Sequence, residues 1–342
     1  MSKKILIVRL DRMGDVVLST PVIKAIRGAY PESHIAMMVR TYSRDIVEGN
    51  PYLSEVIIYD KNGTHKGLIG NLRFIRELRN KKFDTVVVLH PTNRTHLILR
   101  LSGIPDRIGY DKKLGFLLTK KIPHTKQFGM KHEIAYNLDV LKYIGIEPKD
   151  SKLYMPVNSI SERKITKLLT ANGVNNSDLL VAINPGASCA SKRWGIEKFA
   201  KAANGLVEKY GAKIIIISGD VDKHFGDGLA LLIKNNCINL SGKTSIADTA
   251  SVLRRVKLFI SNDSGPVHVS CAIGTPVIAI FGRGDRGLSP KRWGPSGRSD
   301  IVLHKDAGCD ICYAHNCRTG FKCLDSITPQ EVLDAADQIL GK

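Results

Sequence analysis

Three short stretches of this chain combine charged and small residues in patterns suited to holding a ligand. The first, Arg9-Leu10-Asp11-Arg12-Met13-Gly14-Asp15, directly follows the apolar run Ile5 to Val8. In an open α/β sheet, the carboxyl end of a strand is where ligands bind, and a carboxylate there can accept a proton from a substrate hydroxyl. Gly14 permits a positive φ or a close approach. Either Asp11 or Asp15 would serve equally as a cap for the following helix, whose start Ser19, Thr20 and Pro21 mark. The second stretch, Ser261-Asn262-Asp263-Ser264-Gly265-Pro266-Val267-His268, lies between a strand-like run and a helix-like one. Backbone N–H groups of small residues at a helix start, with a histidine behind them, suit an anion, although the same residues also make a plain helix cap. The third is Lys192-Arg193, after the loop Asn184-Pro185-Gly186-Ala187-Ser188. Two cations there can hold a diphosphate or form a solvated charged pair.

Two other motifs suggest different chemistry. Gly282-Arg283-Gly284-Asp285-Arg286-Gly287 fits G-x-G-x-x-G, but Leu288-Ser289-Pro290 follows where a dinucleotide fingerprint needs a helix. It is set aside as a decoy, and nicotinamide and flavin chemistry with it. Cys309, Cys312, Cys317 and Cys323 form a C-x2-C-x4-C-x5-C cluster. Four close thiols can hold one structural Zn or Fe tetrahedrally, with His315 able to replace one ligand; free thiols or paired disulfides are the alternatives.

These stretches need a scaffold, and the chain supplies a repeating one. Runs at Ile5 to Val8, Ile35 to Val39, Val56 to Tyr59 and Thr85 to Leu89 read as buried parallel strands, alternating with helices such as Thr20 to Ala29 and Leu68 to Arg79. A second series runs Leu179 to Ile183, Lys213 to Ser218, Ile238 to Leu240, Leu258 to Ile260 and Val277 to Phe281. The pattern predicts an α/β protein of two doubly wound domains, 1–156 and 157–327, with a final helix, 328–342, that returns to the first. A length of 342 residues suits two cores rather than one. A formal net charge of +19 favours anionic partners: nucleotide sugars, phosphorylated lipids or an anionic membrane surface. The basic residues are dispersed and no nucleic-acid-binding motif is present, which argues against nucleic acid. No run approaches a membrane span or a signal-peptide core, so the expected location is the cytoplasm, at the inner face of its membrane.

Taken in order, Ile5 to Arg9, Met13-Gly14-Asp15-Val16, Asn184-Pro185-Gly186, Lys192-Arg193-Trp194, Leu240 to Ser245, Ser261 to His268, Gly274-Thr275-Pro276 and Arg292-Trp293-Gly294 closely resemble glycosyltransferase family 9, the ADP-heptose:lipopolysaccharide heptosyltransferases. The resemblance spans essentially the whole chain. It implies a GT-B architecture, with two Rossmann-like domains facing across a cleft, the first binding the acceptor and the second the nucleotide sugar. It also implies inverting transfer of heptose from ADP-heptose to an anionic, lipid-linked core saccharide, with no catalytic cofactor. By resemblance Asp15 is the catalytic base. Ser188, Lys192, Asp263, Ser264, Gly265 and His268 match donor-binding positions, Thr244 matches one near the adenine, and either Asp220 or Asp222 is placed for the ribose. The second reading is a GT-B transferase that uses another nucleotide sugar for a surface glycan or protein acceptor.

Overall fold

A computed structural model describes residues 2–234, 237–309 and 311–341. Met1 and Lys342, the outer limits of the two expected domains, lie outside the described residues. The chain divides into two compact units, residues 1–127 with 131–156, and residues 128–130 with 157–342.

The first unit holds a six-stranded parallel sheet of β1 (Lys4–Val8), β2 (His34–Val39), β3 (Glu55–Ile58), β4 (Thr85–Val88), β5 (Asp106–Tyr110) and β6 (Lys120–Ile122). Its spatial order is β3-β2-β1-β4-β5-β6. The order reverses between β1 and β4, where Ile5 pairs with Thr85 and Val8 with Val88. Helices leave the sheet in opposite directions at such a point, and the gap they open is the place for a ligand. Both strands are wholly buried there because parallel strands are covered on both faces. Leu6, Val8, Val86 and Val88 pack with Phe74, Leu78 and Leu99 from the helices.

The second unit repeats the plan with β7 (Leu180–Asn184), β8 (Lys213–Ile216), β9 (Cys237–Asn239), β10 (Leu258–Asn262), β11 (Val277–Phe281) and β12 (Ile301–His304). The order β12-β11-β10-β7-β8-β9 places its reversal between β7 and β10.

Three features depart from the sequence reading. β5, β6 and β12 were not foreseen. The segment after β1 forms two helices, Met13–Val17 and Thr20–Ala29, rather than one that begins at Ser19. The final helix, Pro329–Leu340, expected to return to the first unit, packs within the second. Val332, Ala335 and Ala336 on its apolar face join the core built on β7, β10 and the helix Ile196–Tyr210. Asp337 bonds Lys209 at 2.6 Å and Tyr210 at 2.5 Å on that same helix. Just before the final helix, Ile327 is 1% exposed and its carbonyl accepts the Trp194 indole N–H at 3.0 Å. Ile327→Ala is expected to destabilise the second unit by ~2–5 kcal/mol, the range for a buried aliphatic truncation, in urea unfolding followed by circular dichroism. A shift below ~0.5 kcal/mol would show that the segment is not part of that core.

Candidate functional site

At the reversal point of the first sheet, Arg9 extends β1 by one residue and is only 2% exposed. A buried guanidinium needs counter-charges and acceptors. Its Nε donates to Asp11 at 2.7 Å, and its Nη2 to Asp15 at 2.6 Å and to Glu133 at 3.3 Å. Its Nη1 donates to the Leu89 carbonyl at 3.2 Å, to the Asn137 carbonyl oxygen at 3.0 Å and to Glu133 at 3.3 Å. The bond to Leu89 ties the end of β1 to the end of β4. Buried Lys126 also donates to Glu133, at 2.6 Å, and its ammonium lies 4.7 Å from the Tyr110 ring centroid. Three carboxylates therefore gather around two buried cations. Burial pushes the Asp11 carboxyl above its ordinary range, against the pull of Arg9, and the nearby Asp15 adds to the rise.

Asp15 does not act as a helix cap. Arg12 occupies the cap of Met13–Val17 with no side-chain bond, and Asp15 sits one turn in. Its carboxylate is fixed by Arg9 yet remains 15% exposed, whereas the arginine side chain is 3% exposed. Such a group is oriented by a buried partner and still reachable by a substrate. His90, just beyond β4, completes this edge. Burial, with Arg9 next, lowers its pKa from 6.5 to about 4, which keeps the imidazole neutral.

At the reversal point of the second sheet, the loops after β7, β10 and β11 converge. Asn262 locks two of them, accepting from the Trp194 N–H at 2.9 Å and donating to the Pro185 carbonyl at 2.7 Å. Asn184 donates to the Ser264 hydroxyl at 2.9 Å, and Ser261 lies 2.9 Å from the same oxygen. Asp263, 5% exposed, pairs with Lys192 at 3.1 Å and with Arg283. Its carboxylate therefore serves cations and not the following helix, Gly265–Ile273, whose cap Ser264 makes no side-chain capping bond. His268 is buried within the first turns of that helix. The helix starts at Gly265, four residues before the expected Val269, so its N-terminal amides lie within the stretch Ser261 to His268. Desolvation pulls the Lys192 ammonium below its usual pKa; Asp263 opposes this and Arg283 reinforces it.

Ser188 is exposed on the same β7 loop. Arg193 donates to the Ala187 carbonyl at 3.3 Å and stacks over Phe225, 4.5 Å from the ring centroid. Thr244 lies on the opposite flank, in the loop after β9, and accepts from the Thr249 hydroxyl at 3.3 Å. Asp222 packs beneath Gly186, where a Cβ would come within 2.7 Å of the aspartate's own Cβ, so only glycine fits. Asp220 lies in the same way against Gly242, whose φ of +70° also favours glycine.

The structure gives no support to a metal at the cysteine cluster. Among the described residues, no group of three or more His, Cys, Asp or Glu side chains is arranged to hold a metal. Cys309, Cys312, Cys317 and Cys323 are free thiols; burial raises the Cys323 thiol above its ordinary pKa, and the neighbouring Cys317 and Cys312 add to the rise. Cys309 is exposed. Cys317 accepts the Phe321 N–H at 3.3 Å and meets the Thr319 hydroxyl at 3.5 Å, while Cys323 packs on the second core. His315 turns instead to the Ser191 hydroxyl at 3.2 Å.

The sequence reading quoted Arg9 and Arg283 without giving them a role, and overlooked His90, Lys126, Glu133 and Asn137. Arg9 and Arg283 carried one signal, a cation at or just past the end of an apolar strand. Glu133 and Asn137 lie 124 and 128 residues from Arg9, and no local pattern joins them to it.

Two doubly wound parallel units are the GT-B architecture. The glycosyltransferase family 9 (heptosyltransferase) model matches residues 71–322, and the chain belongs to this family. It is 27% identical over 340 residues to the lipopolysaccharide heptosyltransferase 3 of Escherichia coli K12, covering 96% of this chain and 95% of the relative. A crystal structure of a family 9 glycosyltransferase from Veillonella parvula superposes with a TM-score of 0.90 at 27% identity, covering 100% of this chain and 99% of the other. The fold is also that of the E. coli heptosyltransferase WaaC solved with ADP, with a TM-score of 0.74 at 19% identity over 98% of this chain and 99% of that one.

The depressed His90 gives a pH test. Between its folded value of about 4 and its ordinary 6.5, the unfolded chain binds the proton and the folded protein does not. His90 thus contributes stability that is present above pH 6.5 and lost as pH falls towards 4. His90→Asn is expected to lose less stability than the wild type between pH 7 and 5, in denaturant titrations at each pH. Equal losses in the two proteins would show that His90 protonates freely in the fold.

Proposed function

We propose that this enzyme transfers heptose, with inversion, from ADP-heptose to an anionic, lipid-linked core saccharide in lipopolysaccharide biosynthesis. The first unit binds the acceptor and the second the donor. The observation that carries this reading is the contrast between the two reversal points, one rich in carboxylate and the other in cation. Asp15 takes the proton of the acceptor hydroxyl as that oxygen attacks the anomeric carbon. The bond from that carbon to the diphosphate breaks, and its electron pair leaves on the phosphate oxygen. Lys192, the amides at Ser264 and Gly265, and His268 hold the charge that develops there. Ser188 contributes to the same loop, Asp263 keeps Lys192 in place, Thr244 lies towards the base, and Asp222 or Asp220 receives the ribose. Names of relatives such as lipopolysaccharide heptosyltransferase 3 support heptose as the sugar and lipopolysaccharide as its destination.

Asp15→Asn keeps the shape and removes the proton acceptor. Turnover, read as product mass from ADP-heptose and lipid-linked core saccharides, is expected to fall by ~10²-fold or more with ADP affinity unchanged. Near-normal turnover would refute Asp15 as the base. Product formed only with a different nucleotide sugar would replace the donor assignment.

The acceptor's lipid places the enzyme at the inner face of the cytoplasmic membrane. Among the described residues no helix is long and apolar enough to cross a membrane, so this contact is peripheral. The helix Gly67–Lys81 supports it. Phe74, Ile75 and Leu78 are buried, while Leu68 and Ile69 are each 76% exposed and Leu72 is 53% exposed, beside exposed Lys66, Arg73 and Arg76. Apolar side chains bordered by cations suit an anionic bilayer surface. Replacing Leu68 and Ile69 with Ser is expected to weaken sedimentation with phosphatidylglycerol vesicles by ~10-fold or more, since each aliphatic side chain taken out of water contributes up to roughly 1.5–3 kcal/mol. Wild-type protein that ignores such vesicles would end this assignment.

A further inference from the structure

We propose that Arg283 is a second ligand of the donor's diphosphate, forming with Lys192 a two-cation clamp at the end of β10 and β11. This rests on the donor reading above and adds a residue to it.

The first support is position. β11 pairs directly with β10, Ile280 opposite Asn262, so the residues just after each strand are neighbours. Asp263 follows β10 and leads into Ser264 and Gly265; Arg283 follows β11 by two residues. Gly282 between them is closely packed, since a Cβ there would lie 2.5 Å from Leu324 Cγ. The strand end that carries Arg283 is therefore fixed by the core.

The second support is charge. Asp263 is the counter-ion of both Lys192 and Arg283, and the three side chains are 6%, 13% and 6% exposed respectively. One cation would neutralise this carboxylate. Burying two leaves a positive charge uncompensated, which is costly unless an anion joins them. A nucleoside diphosphate brings such an anion.

The third is an unused donor. One Nη of Arg283 is spent on Asp263, but the buried Nε has no hydrogen-bond partner among the described residues. Buried donors are normally satisfied. A guanidinium edge has the geometry to grip two phosphate oxygens at once, which a lysine ammonium cannot match. A purely structural pair would explain the bond to Asp263 but neither the surplus cation nor the open Nε.

The test is calorimetric titration of wild type, Arg283→Met and Arg283→Lys with ADP, adenosine and inorganic pyrophosphate. Arg283→Met is expected to weaken ADP binding ~10- to 100-fold, as for a lost charge-assisted hydrogen bond, with Arg283→Lys in between. Adenosine, which carries no phosphate, should compete equally in all three proteins. Pyrophosphate should displace ADP from wild type and far less from Arg283→Met. Unchanged ADP affinity in folded Arg283→Met, or an equal loss for adenosine and ADP, overturns the clamp. If the Met variant fails to fold, the Lys variant decides: wild-type ADP affinity counts against the clamp, and a loss confined to phosphate-bearing ligands supports it. Wild-type protein that binds no ADP sinks the donor reading itself, whereas normal wild-type binding with an indifferent Arg283→Met sinks only the clamp.

Discussion

A charge removed from water must be met by opposite charge, and this requirement shapes both reversal points of the fold. The strand order leaves a gap at the same place in each unit, and in each gap one ion is buried at the strand ends. In the first it is Arg9, surrounded by Asp11, Asp15 and Glu133 with Lys126 behind them. In the second it is Asp263, surrounded by Lys192 and Arg283. The two arrangements are electrostatic inverses on one backbone plan. Clustered carboxylates favour taking up a proton, and clustered cations favour an anion.

The hydrogen-bonded asparagines maintain this arrangement. Asn137 accepts from Arg9 and Lys126 and donates to the Leu18 carbonyl at 3.0 Å, so it links the charge cluster to the turn between the first two helices. Asn262 has the same role between Trp194 and Pro185. Neither carries charge, and each uses both halves of its amide. An aspartate in either place would lose the donor and add a buried negative charge.

Much of the scaffold was legible because parallel strands covered on both faces must be apolar along their whole length, as Ile5 to Val8 and Val277 to Phe281 are. β5 and β6 escaped notice for the opposite reason, while β12, apolar at Ile301-Val302-Leu303, is only four residues long. Asp106-Arg107-Ile108-Gly109-Tyr110 and Lys120-Lys121-Ile122 are short and half polar, and β6 and β12 are edges with one neighbour each. Gly109 lets β5 lie against Val88, whose carbonyl oxygen would be 2.8 Å from a Cβ. Asp15, Lys192 and Asp263 could be picked out because they follow strands. Glu133 and Asn137 could not, since they meet Arg9 only through tertiary packing. Arg283 was discarded with a glycine pattern that forms no nucleotide-binding helix.

Both tryptophans of this chain, Trp194 and Trp293, lie in the second unit, and the first has none. Intrinsic fluorescence excited at the red edge of the protein band therefore watches one half of the molecule and is blind to the other. Trp194 is 2% exposed and immediately follows Lys192-Arg193 in the chain, while the half-buried Trp293 donates its indole N–H to Gly287, four residues past Arg283. The loops that bracket the cation pair thus carry an emitter on each side, a built-in optical probe that needs no label.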